Sequence, residues 1–292
     1  MLIKTFVPLN KGIINQWLIL LILLMKNFKK VFFIILSLFC VEFASGQDSL
    51  KFNPVKPNKF FFKSVLLDTR DVFIAPVHWQ KQQWIMAGGV CAVTGGLIAF
   101  DRQINLFTQQ KRNSYTDTLS KLFFEPIGRG IYSFPILGAF GLHHAITGNE
   151  RSGRVFYLGA KSAAISALLV TVLKYTFERH RPYQDNPANP YQWEFYRGKL
   201  KYRSFPSGHT ITAFSVATII ATEFNNNWYV PLICYTMAGL AGLSRMNDNK
   251  HWASDVFMGA ALGFSVSKMI YYRNNWKINL KAKPNKWYGG QY

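Results

Sequence analysis

The sequence predicts an all-α protein, a helical bundle of about six apolar helices embedded in a membrane. Three observations lead there. Of 292 residues, 49% are hydrophobic and only 16% charged, with 25 Phe and 8 Trp, a balance on the apolar side of an ordinary globular domain. The apolar residues gather into stretches rich in Gly and Ala and do not alternate with polar ones, which suits closely packed helices in lipid and argues against strands. No internal repeat, heptad run or Gly-rich nucleotide loop interrupts them. The mean hydropathy of +0.04 is low for a polytopic chain, so a largely globular helical bundle stays the alternative.

Residues 1–46 read as a leader. Met25 is followed by Lys26, Lys29 and Lys30, then by the apolar run Val31–Val41 and by Ala44-Ser45-Gly46, the three parts of a secretory signal peptide. Ile13–Leu24 is too short to span a bilayer, which makes Met25 a candidate start; an uncleaved anchor is the other reading. Phe39 is too bulky for the small residue that lipidation of Cys40 would need before it. Residues 47–83 carry Phe60, Phe61, Phe62, Val65, Leu66, Phe73 and Trp79 among five lysines and Arg70, either as an amphipathic helix on the bilayer surface or as a strap over the bundle. Residues 84–273 hold the helical domain. Its candidate spans are Trp84–Phe100, Ile131–Thr147, Val155–Leu173, Thr210–Ala221, Trp228–Leu243 and Val256–Tyr271, the last three shorter than an ideal span. The loop Tyr183–Tyr202 carries Trp193, Phe195 and Tyr196, which suit a lipid interface and equally an ordinary aromatic anchor. Residues 274–292 form a basic tail.

The formal charge of +20 raises the question of nucleic acid. The cations are scattered through loops between apolar segments and no nucleic-acid module accompanies them, so anionic lipid head groups account for the excess better. Cys91 and Cys234 each lie inside an apolar segment and read as packing thiols, with neither a CxxC nor a Cys/His metal spacing nearby.

Three short polar clusters stand at the ends of the apolar segments: Lys174 followed after six residues by Arg181-Pro182, then Pro206-Ser207-Gly208-His209, then Ser244-Arg245 followed by His251 and Asp255. Seven residues are close to two helical turns, so a helix that continues to Arg181 puts both cations on one face before Pro182 stops it. Pro206 fits the first turn of a new helix, with backbone donors of Ser207, Gly208 and His209 at the positive end of its dipole. His251 and Asp255, four apart, stack on one helical face; the carboxylate then fixes the ring's tautomer and leaves the other nitrogen free, as an oriented nucleophile or base requires. Each cluster alone has a packing explanation, as a basic anchor, a helix start or a polar pair. Their conjunction at matching ends is not required by packing. Arg181, Arg245 and Lys174 suit a phosphoryl group, whose charge a guanidinium fork and a mobile ammonium neutralise from several sides.

Taken together, the clusters resemble the three-part signature of the type 2 phosphatidic acid phosphatase and vanadium haloperoxidase superfamily in residue, order and separation: Lys-x6-Arg-Pro, Pro-Ser-Gly-His and Ser-Arg-x5-His-x3-Asp. The resemblance runs from about Val155 to Ile270. It implies that His251 is the nucleophile of a phosphohistidine intermediate, that Asp255 orients it and that His209 protonates the leaving group. It further implies phosphate binding by Lys174, Arg181, Ser207, Gly208 and Arg245. Ser244 matches the signature without an evident chemical role.

The expected function is therefore a metal-independent phosphatase, free of cofactors, that hydrolyses a lipid-linked phosphate or diphosphate, with a phospholipid or polyprenyl phosphate as substrate and the membrane as partner. A non-catalytic membrane protein that binds anions is the alternative of another class, and a soluble-type acid phosphatase or haloperoxidase is the less favoured enzyme. The expected location is the inner membrane with the site facing the periplasmic side. Here two signals conflict. A cleaved leader puts Gln47 outside, and three full spans later the Lys174 end would be cytoplasmic; the basic tail, with Arg273, Lys277, Lys281, Lys283 and Lys286, puts the tail inside and His251 outside. An outward site then requires one early segment, with Ile131–Thr147 the first choice, not to cross, or a bundle that is exported whole.

Overall fold

Local signals set where helices begin and end. In a computed structural model, residues 55, 57–198 and 201–276 are described; the expected leader, Cys40 and the tail lysines from Lys277 onward lie outside them. Asn58 accepts amide hydrogen bonds from Phe60 and Phe61 and so caps α1, Lys59–Ile74, leaving fewer first-turn donors unpaired. After a 3-10 turn, Gln80 and Gln83 form a reciprocal cap for α2, Lys81–Lys111. Asn113 caps the short α3, Ser114–Leu119, which runs through the π-helical turn Ser120–Phe124 into α4, Glu125–Gly128. Helix α5, Ser133–Thr147, ends on Gly148 at φ 69°, the left-handed stop that glycine adopts without strain. Asn149 then caps α6, Glu150–Phe177. Helices α7, Gly208–Glu223, α8, Tyr229–Asn247, and α9, Ala253–Trp276, complete the order. Among the described residues the only strand-like pairing is an isolated antiparallel bridge between Arg179 and Trp193. The all-α expectation and the helical bundle are borne out.

Six helices alternate in direction. The C-terminal half of α2 meets the α8–α9 turn, where the Asn105 and Gln109 side chains donate to Asn249 and to the Met246 carbonyl. At that same end α5 starts, α6 and α8 finish, and α7 and α9 start. At the opposite end the α5–α6 turn gathers His143, His144 and Ser152, and Arg154 of α6 reaches Glu223 at the close of α7.

The core follows from small side chains. Ala213 and Ala217 of α7 and Ala238 and Ala241 of α8 are all buried together, and their short side chains bring the two backbones close. A second core joins Leu158 and Ile165, Ile219, and Val266, Ile270 and Tyr271 from α6, α7 and α9. Serines cross-link the same helices: Ser215 Oγ donates to Ser166 Oγ at 2.8 Å, and Ser162 and Ser267 hydroxyls pair at 2.5 Å. Such bonds hold helices together where lipid supplies no hydrophobic drive.

Helix α1 is turned inside out. Its buried residues are Ser64, Asp68 and Asp71, while Phe60, Phe62 and Leu66 are 67%, 62% and 73% exposed. Inward, Lys161 of α6 pairs with Asp68 and donates to Ser64 Oγ at 2.8 Å, and Arg273 of α9 bridges Asp68 and Asp71. Residues Lys59–Ile74 of this segment are therefore a helix packed on α6 and α9 with apolar residues outward. Of the six expected spans, two lie in helices long and apolar enough to cross a membrane by length and composition, α2 and α6; α5, with 15 residues, and α7, with 16, are shorter than the roughly 20 residues that cross a bilayer core unaided.

Candidate active site

Helix α6 stops before Arg181. Glu178 takes φ 43° and its N–H closes the last turn on the Lys174 carbonyl, so the chain leaves the helix four residues earlier than the continuous-helix expectation requires. After this left-handed turn the chain pairs with 192–194 through an antiparallel bridge between Arg179 and Trp193, with His180 N–H to the Gln192 carbonyl at 3.0 Å and Glu194 N–H to the Glu178 carbonyl at 3.2 Å. Arg181 thus reaches the site from a loop, its own N–H donated to Gln184 Oε1 at 2.7 Å. Pro206 likewise does not open the next helix. It precedes Ser207, the N-cap, and α7 begins at Gly208, so the free first-turn amides come from Gly208, His209 and Thr210.

The third cluster also differs from its helical expectation. His251 lies before α9, and Asp255 sits in its first turn, where Oδ2 accepts the Trp252 N–H at 2.9 Å in the manner of a capping carboxylate. His251 Nδ1 lies 3.6 Å from Asp255 Oδ2, ion-pair range and outside a hydrogen bond. Ser204 Oγ stands between them, donating to Asp255 Oδ2 and lying 3.5 Å from His251 Nδ1. The pair is therefore set by a helix cap and a serine bridge.

All eight sequence-predicted residues come together at one end of the bundle. Ser207 N–H donates to the Asp255 carbonyl at 3.0 Å. A Cβ on Gly208 would lie 3.5 Å from Lys174 Cε, so the α7 start faces the lysine, whose Nζ donates to the Arg203 carbonyl at 2.6 Å. Arg245, 3% exposed, is held between Glu125 of α4 at 3.2 Å and Asp248. Ser244 Oγ donates to the Ala241 carbonyl at 2.7 Å and accepts from Arg245 Nε at 3.3 Å, so it touches the site through that guanidinium.

Electrostatics tie these groups to one another. Burial pushes the His209 imidazole down to about 3, assisted by the charges of Arg245, His251 and Lys174. Burial likewise lowers His251 to about 4 against the opposing pull of Asp255, with Lys174 and Arg181 adding to the fall. Both rings are neutral at pH 7, and a neutral imidazole is the nucleophilic form. His209 Nε2, Arg181 Nε, and Arg203 Nε and Nη2 are buried without hydrogen-bond partners. Orphaned donors at a cationic site match an oxyanion ligand. Among the described residues no group of three or more His, Cys, Asp or Glu is placed to hold a metal ion.

Four contributors escaped the sequence reading: Ser204 between His251 and Asp255, Arg203 beside Lys174 and 3.9 Å over the Tyr175 ring, the Glu125–Asp248 cradle of Arg245, and Arg179. The last is fully buried and donates to Asp255 Oδ1 at 2.7 Å. Against burial, which raises it, Arg179 leads the groups that hold the Asp255 carboxyl at about 2.

Residues 157–279 match the family model of the PAP2 superfamily. The chain is 37% identical over 122 residues to a lipid A 1-phosphatase of Porphyromonas gingivalis, an alignment covering 41% of this chain and 24% of that protein. It is 37% identical over 82 residues to a probable diacylglycerol pyrophosphate phosphatase 1 of Schizosaccharomyces pombe, covering 24% of this chain and 29% of that one. This chain therefore spans about a quarter of the length of these two relatives. The crystal structure of the first transmembrane PAP2 type phosphatidylglycerolphosphate phosphatase from Bacillus subtilis superposes with a TM-score of 0.47 at 19% identity, covering 78% of this chain and 98% of that one. The resemblance drawn from the three motifs is borne out by the family match.

Proposed function

We propose that this chain is a phosphatase of lipid-linked phosphates that works through a phosphohistidine and without a metal ion. The observation that carries the reading is the convergence, from three separate sequence clusters, of two neutral imidazoles and a set of cations with unmet donors at one end of an apolar bundle. Lys174, Arg181 and Arg245 neutralise the phosphoryl oxygens, and the Gly208 and His209 amides receive one of them at the positive end of α7. The free Nε2 of His251 attacks phosphorus in line; the N–P bond forms as the P–O bond to the lipid breaks, and His209 gives its proton to the departing oxygen. Water then attacks the phosphohistidine with its proton passing to His209, the N–P bond breaks, and inorganic phosphate leaves.

His209 is neutral in the empty site, so it needs a proton before it acts as the acid. The cations that depress it are the ones that a bound phosphate dianion neutralises. Burial, the largest cause of the depression, remains, so substrate binding raises the ring's basicity only by the cationic part and by the dianion's own attraction for a proton.

The relatives act on lipid A and on diacylglycerol pyrophosphate by their names, and the site here presents the same cations to either class of head group. Phosphate release from phosphatidic acid, a polyprenyl diphosphate and lipid A, each measured with and without EDTA, tests the reading. Turnover of at least one that persists in EDTA supports it; turnover lost in EDTA and regained with Mg²⁺ overturns it.

The bundle lies in the membrane with the site on the extracytoplasmic side. Because six helices alternate, the chain enters α2 and leaves α9 at the same end, opposite the site. Positive-inside placement of the basic tail then turns the site outward and requires the chain to enter α2 from the cytoplasmic side, so a cleaved leader and this placement are incompatible. This reading takes α5 as part of the alternation, although its 15 residues leave it short of a full bilayer core. Single cysteines in the Tyr183–Tyr202 loop of a Cys-free variant should label in intact cells with an impermeant thiol reagent. Labelling only after permeabilisation would put the chemistry in the cytoplasm.

A further inference from the structure

The residue that grips Asp255 most firmly is not one of the eight predicted site residues. Arg179 is 0% exposed, and its guanidinium makes five hydrogen bonds: Nη1 to Asp255 Oδ1 and to Ser254 Oγ, both at 2.7 Å, Nη2 to Asp101 Oδ2 and to the Pro190 carbonyl, both at 2.8 Å, and Nε to the same carbonyl at 3.0 Å. Those are all the N–H donors a guanidinium has. The rings of Trp193 and Trp252 lie 4.7 Å and 5.4 Å from its central carbon. Asp101 of α2, itself 0% exposed, accepts the Ser254 N–H at 3.0 Å and the Ser254 hydroxyl. A saturated arginine clamped between two aromatic rings and two carboxylates from different helices has one orientation available, and it passes that orientation to Asp255.

We infer that Arg179, anchored on α2 by Asp101, is a positioning residue for the reaction: it fixes the Asp255 carboxylate and through it the angle and basicity of the His251 ring. The inference rests on His251 being the nucleophile. The charged and titratable groups that bear on that ring are Asp255, Lys174, Arg181 and His209, with Ser204 the neutral bridge. Only Asp255 attracts a proton to it, and Arg179 is the cation directly bonded to Asp255. With the guanidinium gone, the carboxylate's pull on His251 is no longer opposed, so the ring protonates at higher pH. Protonated, it cannot attack.

The test compares Arg179→Gln, the charge-balanced double variant Asp101→Asn/Arg179→Gln and Arg179→Lys, in purified full-length protein in detergent, with folded fraction read by thermal unfolding. The readouts are the pH profile of kcat/KM for phosphatidic acid in mixed micelles and the pH dependence of inorganic phosphate binding by calorimetry. In the wild type the acid limb reflects a ring that stays neutral down to about 4. Arg179→Gln and the double variant should move that limb up by about one pH unit and cut kcat more than they raise KM. Arg179→Lys keeps the charge and loses the fork, so its limb should stay while kcat falls. A merely structural arginine would lower the folded fraction and leave the limb unmoved, so an unmoved limb in both glutamine variants overturns the inference. If the wild type releases no phosphate from the lipids, the proposed function fails by itself, and the midpoint read from phosphate binding still decides the role of Arg179.

Discussion

At the scale of single residues, the site divides the labour of two histidines that look alike in the sequence. His251 has a partner for Nδ1 in the Ser204–Asp255 pair, whereas His209 has an orphaned Nε2 and no carboxylate among the groups that shift it. His251→Ala should abolish phosphate release. Asp255→Asn should slow it by about a hundredfold or more with lipid binding retained. His209→Ala should cost on the order of 10²–10⁴ in rate, and less for a substrate such as a nitrophenyl ester whose leaving group needs no proton. Equal losses on both substrates would remove His209 from the acid role. The eight candidate residues were found together because the three-part signature that the sequence resembles joins residue type to spacing, and the fold brings them to one end of the bundle. Ser204, Arg203 and Arg179 were not, since a serine or an arginine among other polar loop residues carries no spacing rule, and only the fold shows which of them turns inward.

Among the helices, the site depends on how closely α9 approaches α7. Gly259 and Gly263 are four apart on α9, and a Cβ on either would come within 2.7 Å of the Ser207 carbonyl oxygen or 2.6 Å of the Ile211 carbonyl oxygen. Backbone cannot yield as a side chain does. Gly259→Ala should therefore destabilise the protein by about 1–3 kcal/mol and depress activity further, because Ser207 and Asp255 are bonded across the same contact. Gly239→Ala on α8, where nothing lies within 4 Å of the added carbon, is the matched control and should stay within about 0.5 kcal/mol. Chemical denaturation in one detergent compares them. The Gly- and Ala-rich stretches announced close packing, and so much was readable in the sequence. Helix ends were read less well: that α6 stops at Phe177 follows from the pairing of residues 178–180 with 192–194, a contact across a loop that no local signal near Arg181 reveals.

For the whole molecule, acid should loosen the fold before it denatures the surface. His251 and His209 have folded values near 4 and 3, below the unfolded 6.5 or so. Between those values the unfolded chain binds more protons than the folded one, so stability is fully present above about pH 6.5 and is lost as pH falls toward 4, by on the order of 3 kcal/mol for His251. Melting temperature should drop across that window in the wild type and drop less in His251→Gln; identical slopes would show that the ring is not buried neutral. The all-helical class was legible in the sequence; the count was not, since about six helices were expected and nine are described, nor was the direction of helix α1. Its aromatic residues promised an apolar face, and the structure shows that the opposite, acidic face makes the attachment, through Lys161 and Arg273. An attachment made of ion pairs responds to the dielectric constant of its surroundings. In dry acyl chains the pairs hold strongly, and as water enters they weaken by several-fold. Helix α1 should therefore detach first in a thin, wet micelle, and its loosened backbone should then be cut by trypsin at Lys59, Lys63 and Arg70, whose side chains are exposed even in the packed helix, while in a lipid nanodisc the same bonds should keep it in place.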